Sequence, residues 1–142
     1  MSLHLTYCGV LIAILLFTAS VGLSLAQEEQ ILARGQSHYQ RYCSVCHGEQ
    51  GKGKGPLAEY LKITPTDLTQ LSKKNGGQFP FWRVYRIVDG REEVRGHGTR
   101  AMPIWGDEIR IDERKALPQF QEDLVAGRIW QMISYLESIQ EK

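Results

Sequence analysis

Apolar residues recur at helical spacing in three stretches of the chain, and no segment shows the alternation of a half-buried strand. The clearest stretch is residues 122–140. Leu124, Val125, Ile129, Met132, Ile133, Leu136 and Ile139 keep a sustained helical period there and predict an amphipathic helix. Residues 30–43 (QILARGQSHYQRYC) place Ile31, Gly35, Tyr39 and Tyr42 three and four apart and predict a second helix. Residues 79–89 predict a third, with Pro80 near its first turn, Gly90 past its end, and Phe81, Val84, Tyr85 and Val88 on one face.

The intervening segments read as turns and loops. Residues 48–56 (GEQGKGKGP) are too rich in glycine for a regular helix. Residues 57–62 suit one or two helical turns. The Pro65-Thr66-Asp67-Leu68 run suits a turn into another helical turn, capped by Thr66 or Asp67. Asn75-Gly76-Gly77 stops whatever precedes it. Residues 95–106 (RGHGTRAMPIWG) read as loop, and residues 107–122 as a charged, irregular bridge broken by Pro118. The fold class expected is all-α.

The first 26 residues stand apart, because they contain no Lys, Arg, Asp or Glu. An apolar core ends at Ser24-Leu25-Ala26, with small residues where a signal peptidase needs them, so residues 1–26 read as a secretory signal peptide. The amino-terminal MSLHLTY lacks the usual basic residue, and the apolar run is also long enough for a retained membrane anchor. Both readings export the remainder, residues 27–142, which is one ordinary domain by length. The formal net charge of +1 gives no footprint of a nucleic-acid binder. Its distribution is uneven: residues 27–106 sum to +4 and residues 107–142 to −3. Such a dipole can orient a partner during encounter, or it is simply a solvated surface.

Cysteine usage carries the chemistry. Cys8 lies in the leader, which leaves Cys43 and Cys46 in the exported chain. They sit in Cys43-Ser44-Val45-Cys46-His47, a C-x-x-C-H sequence that reads as c-type haem attachment. Two thiols add across the two haem vinyl groups as thioethers, and the adjacent His47 supplies the proximal nitrogen to iron. A dithiol redox motif would expect a βαβ setting, and a zinc site would need a second ligand pair at suitable spacing. Neither is present in the sequence.

A six-coordinate haem needs a second axial ligand, for which the exported chain offers Met102, Met132, His38 and His97. Met132 lies on the apolar face of the last predicted helix, a core position. His38 precedes His47 by nine residues on the helix leading to it. Met102 lies 55 residues after His47 in a Gly- and Pro-containing loop, and Pro103 holds it in extended backbone. His97, in the same loop, is the rival. The residues favour Met102, and a Met/His pair raises the potential of a cytochrome c.

Taken together, these residues resemble the class I cytochrome c family. The family pattern is G-x-x-x-aromatic-x-x-x-C-x-x-C-H-G, a Gly-rich loop with G-P, M-P-x-W-G, and a final helix ending near Y-L. The chain matches with Gly35, Tyr39, Cys43, Cys46, His47 and Gly48, then Gly55-Pro56, Met102-Pro103-Ile104-Trp105-Gly106, and Tyr135-Leu136. The resemblance implies a cytochrome c fold of about three to five helices around one covalent haem. It implies that Gly35 lets the first helix cross the last at close range, with Tyr39 beside Tyr135 and Leu136. It also implies that the Pro56 carbonyl accepts a hydrogen bond from the second nitrogen of His47, a contact that orients the imidazole. Trp105, Tyr85, Arg95 and Arg100 are candidates for the haem propionates. Residues 107–122 are longer and more charged than small members show, either as a surface insertion or as a docking element.

The function expected is one-electron transfer by a single haem c and its iron, ligated by His47 and Met102, in a bacterial periplasm. The partners expected are transient redox proteins, with contact to a membrane only if the amino-terminal segment is retained. Lys52 and Lys54 are candidates for a docking patch or ordinary loop charges. The alternatives are a dedicated haem subunit of a larger oxidoreductase and a haem enzyme or ligand sensor, the latter requiring an open iron position.

Overall fold

The computed structural model describes residues 25–92, 105–112 and 117–141. The chain divides into two compact units, Met1–Ile31 and Leu32–Lys142. In the first, residues 25–31 are helical and exposed. Among the described residues there is no strand, so the all-α expectation holds.

Helix α1 covers residues 32–42 of the second unit. The four-residue α2, Ser44–His47, follows directly. Two 3-10 turns, Ala58–Tyr60 and Leu68–Gln70, lead to α3, Leu71–Lys74. Then come α4, Phe81–Asp89, α5, Trp105–Asp112, and the long α6, Pro118–Ser138. Helices α4, α5 and α6 pack against one another. Tyr39 of α1, Ile109 of α5, and Ile129, Met132 and Ile133 of α6 form the fully buried centre. Of the apolar period read along 122–140, Val125, Ile129, Met132, Ile133 and Leu136 form the core face of α6, Leu124 is exposed, and Met132 is a packing residue at 2% exposure.

The crossing of α1 and α6 depends on Gly35. A Cβ at that position would stand 2.0 Å from the Gln131 carbonyl oxygen and 2.9 Å from the Tyr135 Cβ. Only a residue without a side chain lets the two backbones come this close. Next to the crossing, the rings of Tyr39 and Tyr135 lie 5.5 Å apart. Both contacts are those that the family resemblance implies.

Helix ends follow local chemistry. Gly90 adopts the left-handed conformation after α4 (φ 84°), and its N–H reaches the carbonyls of Arg86 and Ile87. Asp67 caps the Leu68–Gln70 turn by accepting from the Thr69 N–H at 2.9 Å, so Asp67 rather than Thr66 is the cap. Pro80 is the residue immediately before α4, near its first turn as expected.

Two expectations for 105–122 need correction. Residues 105–112 form a helix rather than loop and irregular bridge, and Pro118 opens α6 instead of breaking a bridge. Proline fits the first helical turn because its missing N–H has no intrahelical acceptor there. Helix α5 has little apolar periodicity, since Gly106 and Ile109 are its buried residues. Ile109 anchors it in the core, and polar contacts at the surface surround that anchor. Arg110 takes Glu122 through Nε (2.8 Å) and Nη2 (3.0 Å) and Asp107 through Nη1 (2.7 Å). Asp112 pairs with Arg41 at 2.9 Å and accepts a short hydrogen bond from Tyr42. Among the described residues no helix is long and apolar enough to cross a membrane.

Candidate haem site

Helix α1 ends at Tyr42, and Cys43 lies in the turn between it and α2. The Cys43 N–H still bonds the Tyr39 carbonyl at 2.8 Å, so the first thiol is fixed directly to the core helix. One turn of α2 then carries Cys46 and His47, whose N–H groups return to the Cys43 carbonyl at 3.2 and 2.9 Å. Both thiols and the imidazole thus project from one rigid turn. Cys43 is buried, Cys46 is half-buried, and neither is in a disulfide. Burial pushes the Cys43 thiol up to about 12, with the neighbouring Cys46 adding to the shift.

The Gly-rich segment folds back onto this turn. The N–H groups of Gly53, Gly55 and Leu57 bond the carbonyls of His47, Cys46 and Val45 at 2.8, 3.0 and 2.9 Å. A Cβ on Gly55 would stand 2.4 Å from the Val45 carbonyl oxygen, which accounts for glycine at that position. Gly48 has φ 79°, and its carbonyl accepts from the Tyr39 hydroxyl at 2.6 Å. Burial raises that phenol above its ordinary value. The hydroxyl therefore ties the end of α2 to the core beneath it.

The imidazole of His47 is oriented by Thr66, whose carbonyl oxygen lies 2.9 Å from Nδ1. Because a carbonyl only accepts, Nδ1 carries the proton, and in that tautomer Nε2 is the ring nitrogen able to bind a metal. The resemblance implies the Pro56 carbonyl in this role; in this structure the oxygen beside Nδ1 is that of Thr66. Sequence reasoning missed Thr66, although the Asp67-capped turn beside it marked the segment as fixed.

These residues fit a covalently held haem. Two unpaired thiols and a lone-pair nitrogen of defined tautomer lie on one turn. After them Leu57, Tyr60 and Leu61 stand exposed, apolar surface that a flat apolar group would cover. Cys43, Cys46 and His47 would hold the group.

Other sequence candidates are distributed as follows. Met102, Pro103, His97, Arg95 and Arg100 lie outside the described residues. Trp105 packs its ring 5.7 Å from that of Tyr42, and Tyr85 packs beside Trp82 at 5.9 Å. His38 lies on α1 with its ring 6.4 Å from Tyr42. Lys52, one of the two candidate docking lysines, forms an ion pair with Glu141 at 3.0 Å.

Comparison with protein families gives one match, over residues 30–120, to cytochrome c oxidase, cbb3-type, subunit III. Neither the curated proteins nor the solved structures give a match. The family match spans α1, the attachment turn, the Gly-rich segment and α5, so it covers the whole candidate site. The chain therefore belongs to the cbb3-type subunit III family of c-type cytochromes, proteins that use haem for electron transfer.

Proposed function

We propose that this protein is an exported one-electron carrier with a single haem c, attached through Cys43 and Cys46 and ligated by His47 and Met102. The observation that carries the reading is the attachment turn: both thiols and an imidazole with its Nδ1 committed to the Thr66 carbonyl. When bound, the haem supplies reversible one-electron chemistry at iron. The chain's own residues do the rest. His47 presents Nε2 in one orientation, because a rotation of its ring would abandon the Thr66 oxygen. Tyr39 and Gly35 hold the attachment turn against α6, and the Gly-rich segment closes over the turn's carbonyls. Met102 stays the second ligand on the sequence argument, with His97 as its rival.

Residues 1–26 are proposed to be a signal peptide or anchor, residues 27–142 the cytochrome domain, and the periplasm its location. A filled sixth position leaves no open iron site, which favours a carrier over an enzyme. Reductive titration of the purified protein should follow a single one-electron curve, and the native reduced protein should not bind carbon monoxide. Rapid carbon monoxide binding would instead indicate an open iron site and a catalytic or sensing role.

A second reading is a haem subunit of a larger oxidoreductase, favoured by the family description as an oxidase subunit. Purification of the native protein in a stable complex with a larger partner supports it; recovery as a free monomer supports the diffusing carrier.

A further inference from the structure

Thr66 orients the proximal ligand, and its own position is set by the last turn of the chain. The segment 65–69 lies between two supports. On one side is the Gly-rich loop: the Leu68 N–H donates to the Gly51 carbonyl at 2.7 Å, and a Cβ on Gly53 would stand 2.2 Å from the Pro65 oxygen. On the other side is the end of α6, and the contact there is polar.

Gln140 makes most of it. Its Nε2 donates to the Leu68 carbonyl at 2.7 Å and to the Leu136 carbonyl at 2.8 Å, while its Oε1 accepts from the Ser72 N–H at 2.8 Å. Two carbonyls face one end of the amide and an N–H faces the other, so the network allows a single amide orientation. Glu141 extends the contact. Its N–H donates to the Thr69 carbonyl at 2.9 Å, and its carboxylate takes Gln70 at 2.6 Å and Lys52 at 3.0 Å. Within the segment, Asp67 accepts from both the N–H and the hydroxyl of Thr69, a side chain that is itself buried.

We infer that Gln140 is a positioning residue for the proximal haem ligand: its amide latches residues 66–72 to α6 and so fixes the Thr66 carbonyl against His47 Nδ1. The inference rests on the haem reading proposed above. Without the amide, the Leu68 and Leu136 carbonyls lose the donor between them, and on the α6 side the turn carrying Thr66 keeps only the contacts of Glu141. A looser Thr66 carbonyl draws less on the Nδ1 proton. The imidazole then donates less charge through Nε2, and the reduced state of a bound iron is favoured.

The test compares Gln140→Met, which removes both the donors and the acceptor, with Gln140→Glu, which removes the donors at nearly constant shape. Covalent haem in the wild-type protein is established first, from the spectrum of the denatured sample. Its absence would overturn the haem reading, and this inference with it, before any variant is made. Two quantities are then read: the midpoint potential, and the exchange rate of the His47 Nδ1 proton in the reduced protein by NMR. Both variants should raise the potential and speed the exchange by roughly tenfold, the effect of weakening one local hydrogen bond.

Ser134→Gly, inside α6 and away from the latch, is the control for general loosening of the helix. It should lower the melting temperature and move neither quantity. If Gln140→Met matches the wild type in both, or shifts them no more than Ser134→Gly does, the latch is refuted. If the Gln140 variants do not accumulate with haem, Glu141→Ala takes their place, since its side chain is exposed. It should move both quantities the same way by a smaller amount, and no movement overturns the inference.

Discussion

The backbones of α1 and α6 approach closely at Gly35, and Gly35→Ala perturbs that crossing with one methyl group. The added Cβ would lie 2.0 Å from the Gln131 carbonyl oxygen and 2.7 Å from its carbon, against an ordinary contact of 3.4 Å or more. The obstacle is backbone, so no side chain can rotate away, and the helices must separate locally by roughly 1.4 Å. A gap of that order forfeits much of the dispersion energy between the facing surfaces, including the Tyr39–Tyr135 contact. Overpacking of this kind costs about 3 kcal/mol at the severe end. Alanine returns about 1 kcal/mol through its higher helix propensity. The net loss is about 2 kcal/mol, which for a domain of this size lowers the melting temperature by about 8 °C. Far-ultraviolet circular dichroism, followed through thermal unfolding of the haem-loaded protein, measures it. An unchanged or higher melting temperature would mean that helix propensity decides the outcome, and the crossing would have to be looser than described.

Three further outcomes follow from particular contacts. Tyr39→Phe removes the donor to the Gly48 carbonyl at 2.6 Å in a buried place and should cost about 1–2 kcal/mol by denaturant titration, with haem still attached. Asp67→Ala removes the cap on Thr69 and should cost about 1 kcal/mol at neutral pH. The Thr69 hydroxyl, then the Thr69 N–H and nearby lysines, hold the Asp67 carboxyl below its usual value of 3.8. Its contribution is therefore complete above that value and is lost as pH falls through the lower folded one, so the gap between variant and wild type should close in acid. Arg110→Ala should leave the melting temperature unchanged within error despite its three hydrogen bonds to Asp107 and Glu122, because these groups are solvated. A clear drop would show that the α5–α6 ion pair holds the two helices together.

What the sequence made legible follows from how local each feature is. Helix α6 could be read because its buried face is a sequence period, and the attachment turn because its chemistry lies in five consecutive residues. Helix α5 could not be. Its buried residues are few, and its anchors, Tyr42 to Asp112 and Arg110 to Glu122, join residues 70 and 12 positions apart. Pro118 was misread because proline both ends and opens helices, and only the flanking structure decides which. The Thr66 oxygen beside His47 is of the same kind: a backbone carbonyl has no sequence signature, and its use depends on where the chain passes. Gln140 was invisible for that reason too, since two of its three partners lie about 70 residues away.

The proposed haem is covalent and is held by His47 on one side and Met102 on the other. The most direct measurement is the absorption spectrum of the oxidised protein, matured with c-type haem machinery, beside that of Met102→Ala. Both proteins should carry covalent haem, with the weak far-red band of iron–methionine sulfur bonding present in the wild type and lost in the variant. Covalent haem without that band, and a variant spectrum identical to the wild type, would contradict this ligation. His97 or an open iron site would then have to take the place of Met102.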